Sequence, residues 1–191
     1  MKAVVLHGSP RKGKNSDSLV ESFIKGLTME KPWNVTHFYL NELDISPCQG
    51  CLACAKPPHN CRIDDDMQRI YQTYKESDLI IWATPMYWGY LTAQMKLVQD
   101  RMEALAWEGF GNKTFVTLFT YRHHYESAAN MFRRIAPHFK IDLHVLDCCT
   151  YDKETGRDIP INELPEKLVE AYELGRRLST SSCGQVSASL S

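Results

Sequence analysis

A chain of 191 residues, 43% apolar and 24% charged, is long enough for one full domain and short for two. Its net charge of -1 supplies no field to attract nucleic acid, and its Lys and Arg residues are scattered singly or in short groups. No apolar stretch approaches the ~20 residues of a membrane helix, and the first residues run straight into a strand-like segment without a signal-peptide pattern, so a cytoplasmic location is expected.

"KAVVLH" (2–7) is an almost unbroken apolar run, as expected of a strand buried on both faces of a sheet. "SDSLVESFIKGL" follows it, with Leu19, Phe23, Ile24 and Leu27 at helical spacing. "VTHFYL" (35–40) predicts a second strand, and a long cysteine-bearing loop leads to "DDMQRIYQTYKES" (65–77). That segment is a helix with an acidic first turn and Met67, Ile70, Tyr71 and Tyr74 on one face. "DLIIWATP" (78–85) predicts a central strand, and "LTAQMKLVQDRMEAL" (91–105) a helix with Leu91, Met95, Val98, Met102 and Leu105 on one stripe, where methionine serves as core filler. "KTFVTLFT" (113–120) and "IDLHVLD" (141–147) are strands separated by the amphipathic "ESAANMFRRIA", and "LPEKLVEAYELGRRL" closes the chain as a helix. Five strands alternating with five helices predict an α/β fold, a parallel sheet covered on both faces. Residues 1–179 are expected to form this single domain and 180–191, poor in apolar residues, a flexible tail.

The first strand-to-helix loop, "GSPRKGKN" (8–15), nearly spells a triphosphate-binding loop. Asn15 stands where a magnesium-binding hydroxyl is needed, and "WATP" ends the central strand without an acidic residue, so two parts of a triphosphatase are missing. Ser9, Arg11, Asn15 and Ser16 instead offer hydrogen-bonding side chains with no carboxylate before Asp17, which suits a terminal phosphomonoester held without metal. A plain Gly/Pro turn capped by Ser16 is the alternative. "TPMYWGY" (84–90) follows the central strand and places Met86, Tyr87, Trp88 and Tyr90 where the chain should turn over polar surface. A flat aromatic ligand would use those rings, and so would a subunit contact.

"GSPRKGKNSDSL", "TPMYWGYLTAQMKLVQDR" and the intervening "ISPCQGCLACAKPPHNCRIDDDM" together resemble the flavodoxin-like NAD(P)H-dependent FMN reductase superfamily, in its iron-sulfur flavoprotein branch. The resemblance spans residues 1 to about 105 and implies a flavodoxin-like doubly wound sheet, strand order 2-1-3-4-5, that binds FMN. It implies phosphate contacts from Ser9, Arg11, Asn15 and Ser16, and contacts to the ribityl chain and isoalloxazine from Pro85, Met86, Tyr87, Trp88 and Gly89. Tyr121 is a further flavin contact in a third loop, "TYRHHYE", that departs from the glycine-rich sequence of relatives; His123 and His124 could equally be solvated there. NAD(P)H would be the co-substrate and a quinone, another small molecule or a protein the acceptor, with no catalytic acid or base required. The resemblance also implies a homodimer or tetramer.

Seven cysteines in a cytoplasmic protein are unsuited to a disulfide framework. Cys48, Cys51, Cys54 and Cys61 form C-x2-C-x2-C-x6-C, whose two successive x2 spacings let one short loop bring three thiolates to three corners of a cubane while the next turn brings the fourth. The iron-sulfur flavoproteins show such a pattern, which would make this chain an electron carrier with a [4Fe-4S] cluster fed by a ferredoxin-like donor. Tetrahedral zinc and thiols that merely pack beneath "DDM" are the other readings. His59 is read as exposed, and Cys148 and Cys149 as small core residues.

Overall fold

In the computed structural model, which describes residues 1–107 and 110–180, strand β1 (Lys2–His7) leads through the glycine loop into helix α1 (Asn15–Leu27) and back to strand β2 (Asn34–Tyr39). The cysteine loop precedes helix α2 (Met67–Glu76), followed by strand β3 (Leu79–Tyr87), a short strand β4 (Tyr90–Leu91) and helices α3 (Ala93–Arg101) and α4 (Glu103–Ala106). Strand β5 (Thr114–Tyr121), helix α5 (Glu126–Ile135) and strand β6 (Asp142–Cys149) complete the main sheet. A hairpin of β7 (Tyr151–Asp152) and β8 (Arg157–Asp158) then leads to helix α6 (Pro165–Thr180). The five long strands pair in parallel as β2-β1-β3-β5-β6, the expected 2-1-3-4-5 order.

The alternation of side chains along β1 shows why two helix layers are needed. Ala3 and Val5 face one side and pack with Leu19, Val20 and Phe23 of α1 and with Ala171 and Leu174 of α6. Val4 and Leu6 face the other and pack with Met67, Ile70 and Tyr74 of α2, Met95 and Val98 of α3 and Phe132 of α5. Each long strand in the middle of the sheet is therefore buried on both faces, which is what its near-continuous apolar run anticipates.

Helices α1 and α6 approach closely because each presents a glycine to the other. A Cβ on Gly26 would lie 1.9 Å from the Tyr172 carbonyl oxygen, and one on Gly175 2.1 Å from the Phe23 carbonyl oxygen. Only hydrogen fits at either position, so two residues that weaken a helix interior are retained for interhelical contact.

Three elements depart from expectation. The segment 91–105 is not one helix but breaks at Met102 into α3 and α4. The aromatic segment 84–90 is not a loop: β3 continues through Pro85 to Tyr87 and folds back as an antiparallel hairpin with β4. The β7–β8 hairpin has no counterpart in the sequence reading. Helix α6 reaches Thr180, one residue into the segment read as tail, and 181–191 lie outside the described residues. Among the described residues no helix is long and apolar enough to cross a membrane.

Candidate functional site

The strand order reverses at β1 and β3: β1 is followed by a crossover through α1 to β2 on one side, and β3 continues to β5 on the other. The loops leaving the carboxyl ends of these two strands therefore border one crevice, where open α/β sheets bind ligands.

The glycine loop is anchored at its first residue. Gly8 N donates to the Ala83 carbonyl at 2.8 Å, and the Thr92 hydroxyl donates to the Gly8 carbonyl at 2.7 Å while accepting Met95 N–H at 3.3 Å as the cap of α3. One hydroxyl thus joins the loop to the helix that follows the aromatic hairpin. The first intrahelical bond of α1 runs from Ser18 N to the Lys14 carbonyl, so the N–H groups of Asn15, Ser16 and Asp17 have no carbonyl partner within the helix. Donors so placed at the positive end of a helix dipole are the arrangement with which proteins bind anions.

The predicted phosphate residues take different positions. Ser9 is buried, and its hydroxyl both accepts Arg11 N–H and lies 3.1 Å from the Arg11 carbonyl, shaping the turn. Arg11 is exposed at the mouth of the loop. The Asn15 side chain is occupied elsewhere: its amide donates to the Ile159 carbonyl at 3.2 Å and accepts Ile161 N–H at 3.1 Å, tying α1 to the segment before α6. Ser16 is buried with its hydroxyl 2.9 Å from that of Thr120 at the end of β5, a residue the sequence reading passed over.

Asp17, the first carboxylate after the loop, has both oxygens engaged. One oxygen accepts Gly13 N–H at 2.6 Å, with Gly13 at φ +70°, and the other lies 2.8 Å from His7 Nδ1. Burial alone would raise its pKa, but the bonds from His7 and Gly13 outweigh it and hold the carboxyl below its ordinary value. His7 Nε2 is in turn 3.0 Å from His37 Nδ1, and the His7 ring stacks on Tyr39 with centroids 4.2 Å apart. A cleft of about 290 Å³ between α1 and β2 is lined by these groups together with Glu21 and Lys25. Neither His7 nor His37 carries a sequence signal, because they meet only through the register of β1 and β2.

On the other side of the crevice, Pro85 and Met86 are half-buried, Tyr87 is exposed and Trp88 is fully exposed at the hairpin tip. Trp88 and Gly89 both have positive φ, +51° and +73°, as in a type I′ turn. Glycine suits such a position, whereas a bulky residue there costs roughly 1–2 kcal/mol. The indole at that strained position is fully exposed. Tyr121, at the end of β5, donates to Asp147 at 2.9 Å and its ring is 4.7 Å from that of Tyr125. His123 packs edge-on against Tyr151, and His124 is exposed. Cys148 is buried, which pushes its thiol up to about 12, and Cys149 is half-buried.

The four spaced cysteines lie on a loop whose neck is closed by a buried ion pair. Arg101 binds Asp65 with two bonds of 2.7 and 3.1 Å and donates to the Ser46 carbonyl at 2.8 Å; Asp65 also accepts Ser46 N–H and Met67 N–H. The neck thus joins both ends of the loop to α3, while Cys48 and Cys51 are exposed and Cys54 and Cys61 pack against the core. Burial pushes the Cys54 thiol up. Four free thiols on one tethered loop are the right donor set for an iron-sulfur cluster or zinc. Among the described residues, however, no three potential ligands are already gathered around a common point. His59 is half-buried rather than exposed, its Nδ1 3.0 Å from the Cys54 carbonyl and its ring stacked on Trp107.

Comparison with known proteins places these features in a family. The model of the NADPH-dependent FMN reductase family matches residues 1–168. The chain is 34% identical over 116 residues to an iron-sulfur flavoprotein of Methanosarcina thermophila, covering 61% of this chain and 60% of that one. It is 39% identical over 102 residues to an iron-sulfur flavoprotein of Archaeoglobus fulgidus, covering 53% and 51%. The matches thus span about half to three-fifths of these curated relatives. Among solved structures, the fold is similar to an NAD(P)H:quinone oxidoreductase from Methanothermobacter marburgensis, with TM-score 0.66 and 15% identity over 95% of this chain and 98% of the other. It is also similar to an azoreductase from Bacillus anthracis, with TM-score 0.66 and 11% identity over 94% and 98%. At those identities the likeness concerns the fold alone.

Proposed function

Because the chain belongs to the NADPH-dependent FMN reductase family, we propose that it is an FMN-dependent oxidoreductase that takes electrons from NAD(P)H and passes them to a quinone, another small molecule or a protein. The observation that carries this reading is the start of α1: first-turn N–H groups without a carbonyl partner in the helix and the Ser16 hydroxyl, with the Asp17 carboxylate engaged by Gly13 and His7 and that of Glu42 by Lys12. Such a site accepts a phosphomonoester and needs no metal.

When bound, FMN supplies hydride acceptance and release of electrons singly or in pairs. The chain's own residues bind, orient and shield. The first turn of α1, with Ser9, Ser16 and Arg11, would hold the phosphate, and Asn15 fixes that turn through its bonds to the Ile159 and Ile161 backbone. Pro85, Met86, Tyr87, Trp88 and Gly89 would line the ring's approach, with Tyr121 at the third loop. The hairpin's exposed Trp88 and Tyr87 also suit a subunit boundary, in keeping with a homodimer or tetramer.

A second reading is favoured by the tethered cysteine loop. With Cys48, Cys51, Cys54 and Cys61 holding a [4Fe-4S] cluster, the chain would be an electron carrier fed by a ferredoxin-like donor, as the names of its curated relatives suggest.

Anaerobic purification with FMN, iron and sulfide measured on one sample separates the two. The oxidoreductase reading expects one FMN per chain, bleached rapidly by NADH or NADPH. The carrier reading expects about four iron and four sulfide per chain with slow reaction with nicotinamide. A Cys54→Ser variant is expected to lose its iron; iron content equal to the parent's would count against the cluster. Failure to take up flavin after reconstitution would remove both readings.

A further inference from the structure

We propose that Asp17 and His7 are positioning residues for the phosphate loop, with His37 as the outer member of the chain, an inference that rests on the flavin reading above. Three observations carry it. First, the Asp17 carboxylate and the His7 ring are buried, with side chains 6% and 2% exposed, yet both Asp17 oxygens have partners: Gly13 N–H at 2.6 Å and His7 Nδ1 at 2.8 Å. Second, Gly13 is the residue of the loop with left-handed backbone, at φ +70°, so the bond from its N–H sets the orientation of the peptide at the loop's sharpest bend. Third, the network has a consistent direction. A His37 Nδ1–H donating to His7 Nε2 leaves the His7 proton on Nδ1, where it donates to Asp17. The stacked Tyr39 ring holds the His7 plane, and Lys12 of the loop lies over that same ring at 3.9 Å.

The placement looks unfavourable until both oxygens are counted. A carboxylate in the first turn of α1 lies close to the proposed phosphate site and should repel a phosphate. Bound to Gly13 and to His7, it instead withdraws one loop N–H from the ligand and holds the loop so that the first-turn donors of α1 remain free. His7 fixes the carboxylate in that rotamer.

This gives opposite predictions for charge and for position. If Asp17 acted only as a nearby negative charge, Asp17→Ala would tighten phosphate binding. If it positions the loop, the same substitution weakens FMN binding about tenfold or more, the equivalent of one charge-assisted hydrogen bond, and leaves riboflavin, which lacks the phosphate, within about twofold of the parent. The test is to titrate the parent, Asp17→Ala, His7→Leu and His7→Asn with FMN and with riboflavin, following flavin fluorescence. His7→Leu is expected to weaken FMN selectively. His7→Asn, whose amide can still donate to Asp17, is expected to recover most of the affinity and remains informative if Asp17→Ala does not fold. Unchanged or tighter FMN binding by Asp17→Ala, or equal losses for FMN and riboflavin, would overturn the proposal while the parent's FMN binding stands. A parent that binds neither flavin would instead overturn the flavin reading, and this inference with it.

Discussion

An Arg101→Met variant is expected to lose about 3–5 kcal/mol of stability, read as a lowered denaturant midpoint at an unchanged slope. Arg101 and Asp65 have side chains only 1% and 5% exposed, and their pair is bidentate. Removing the guanidinium leaves Asp65 as an uncompensated buried charge, a larger loss than the net worth of the pair itself. Adding Asp65→Asn is expected to return part of that loss, because a neutral amide can still accept a backbone N–H. The deficit should also depend on pH. Burial pushes the Asp65 carboxyl up, but Arg101 and the N–H groups of Ser46 and Met67 outweigh it, so its folded pKa lies below the ordinary value. The stability it contributes is therefore fully present above about pH 4, the unfolded value, and is lost as pH falls through the lower folded one. Parent and variant should converge below about pH 4, and a deficit that stays constant across that range would mean the ion pair is not its source. Because the neck orders residues 46–65, the variant is also expected to hold iron less well than the parent if the cysteines bind a cluster.

Gly26→Ala is expected to destabilise the fold by about 2 kcal/mol or more. In an isolated helix the change would be favourable by roughly 1 kcal/mol. Here the new methyl would lie 1.9 Å from the Tyr172 carbonyl oxygen and 2.9 Å from Arg176 N, both backbone atoms that cannot rotate aside. The two helices must separate, and overpacking of this kind costs about 3 kcal/mol at the upper end of its usual range. Gly111→Ala, where an added Cβ meets nothing within 4 Å, is the control and should change little. Gly26 lies 11 residues from Asn15, about 16 Å along α1, so FMN affinity should fall less than stability does. Equal stability of Gly26→Ala and the parent would show that the α1–α6 contact is looser than described.

What the sequence revealed and what it hid follow one physical rule: local patterns were legible, and contacts between distant segments were not. The burial of the long strands and the apolar faces of α1 and α2 follow from side-chain periodicity, and the strand order came with the family resemblance. The hairpin at Tyr87 to Tyr90 escaped because Pro85 normally argues against strand continuation and Trp-Gly is not a usual type I′ pair. The stripe from Leu91 to Leu105 is continuous in sequence, yet the helix breaks at Met102, where no glycine or proline marks it. Gly26 and Gly175 read as helix-weakening residues, and their reason appears only when α1 meets α6. At the site, the glycine loop between β1 and α1 was legible in its composition. The side chain of Asn15, by contrast, turned out to brace the backbone at Ile159 and Ile161; Thr120 meets Ser16 of α1 from the end of β5, and His7 meets Asp17 of α1 and His37 of β2, contacts between distant segments that no local pattern announces. The cysteine spacing was plain, whereas the ion pair that closes its loop joins residues 36 positions apart.

The most direct measurement of the central claim, that the β1–α1 loop holds the phosphate of a flavin without metal, is FMN titration of the flavin-free protein with and without EDTA. The loop geometry predicts binding of one FMN per chain, tighter than riboflavin, with the same dissociation constant in both buffers. No binding of FMN, equal affinity for riboflavin, or binding that vanishes in EDTA would contradict it.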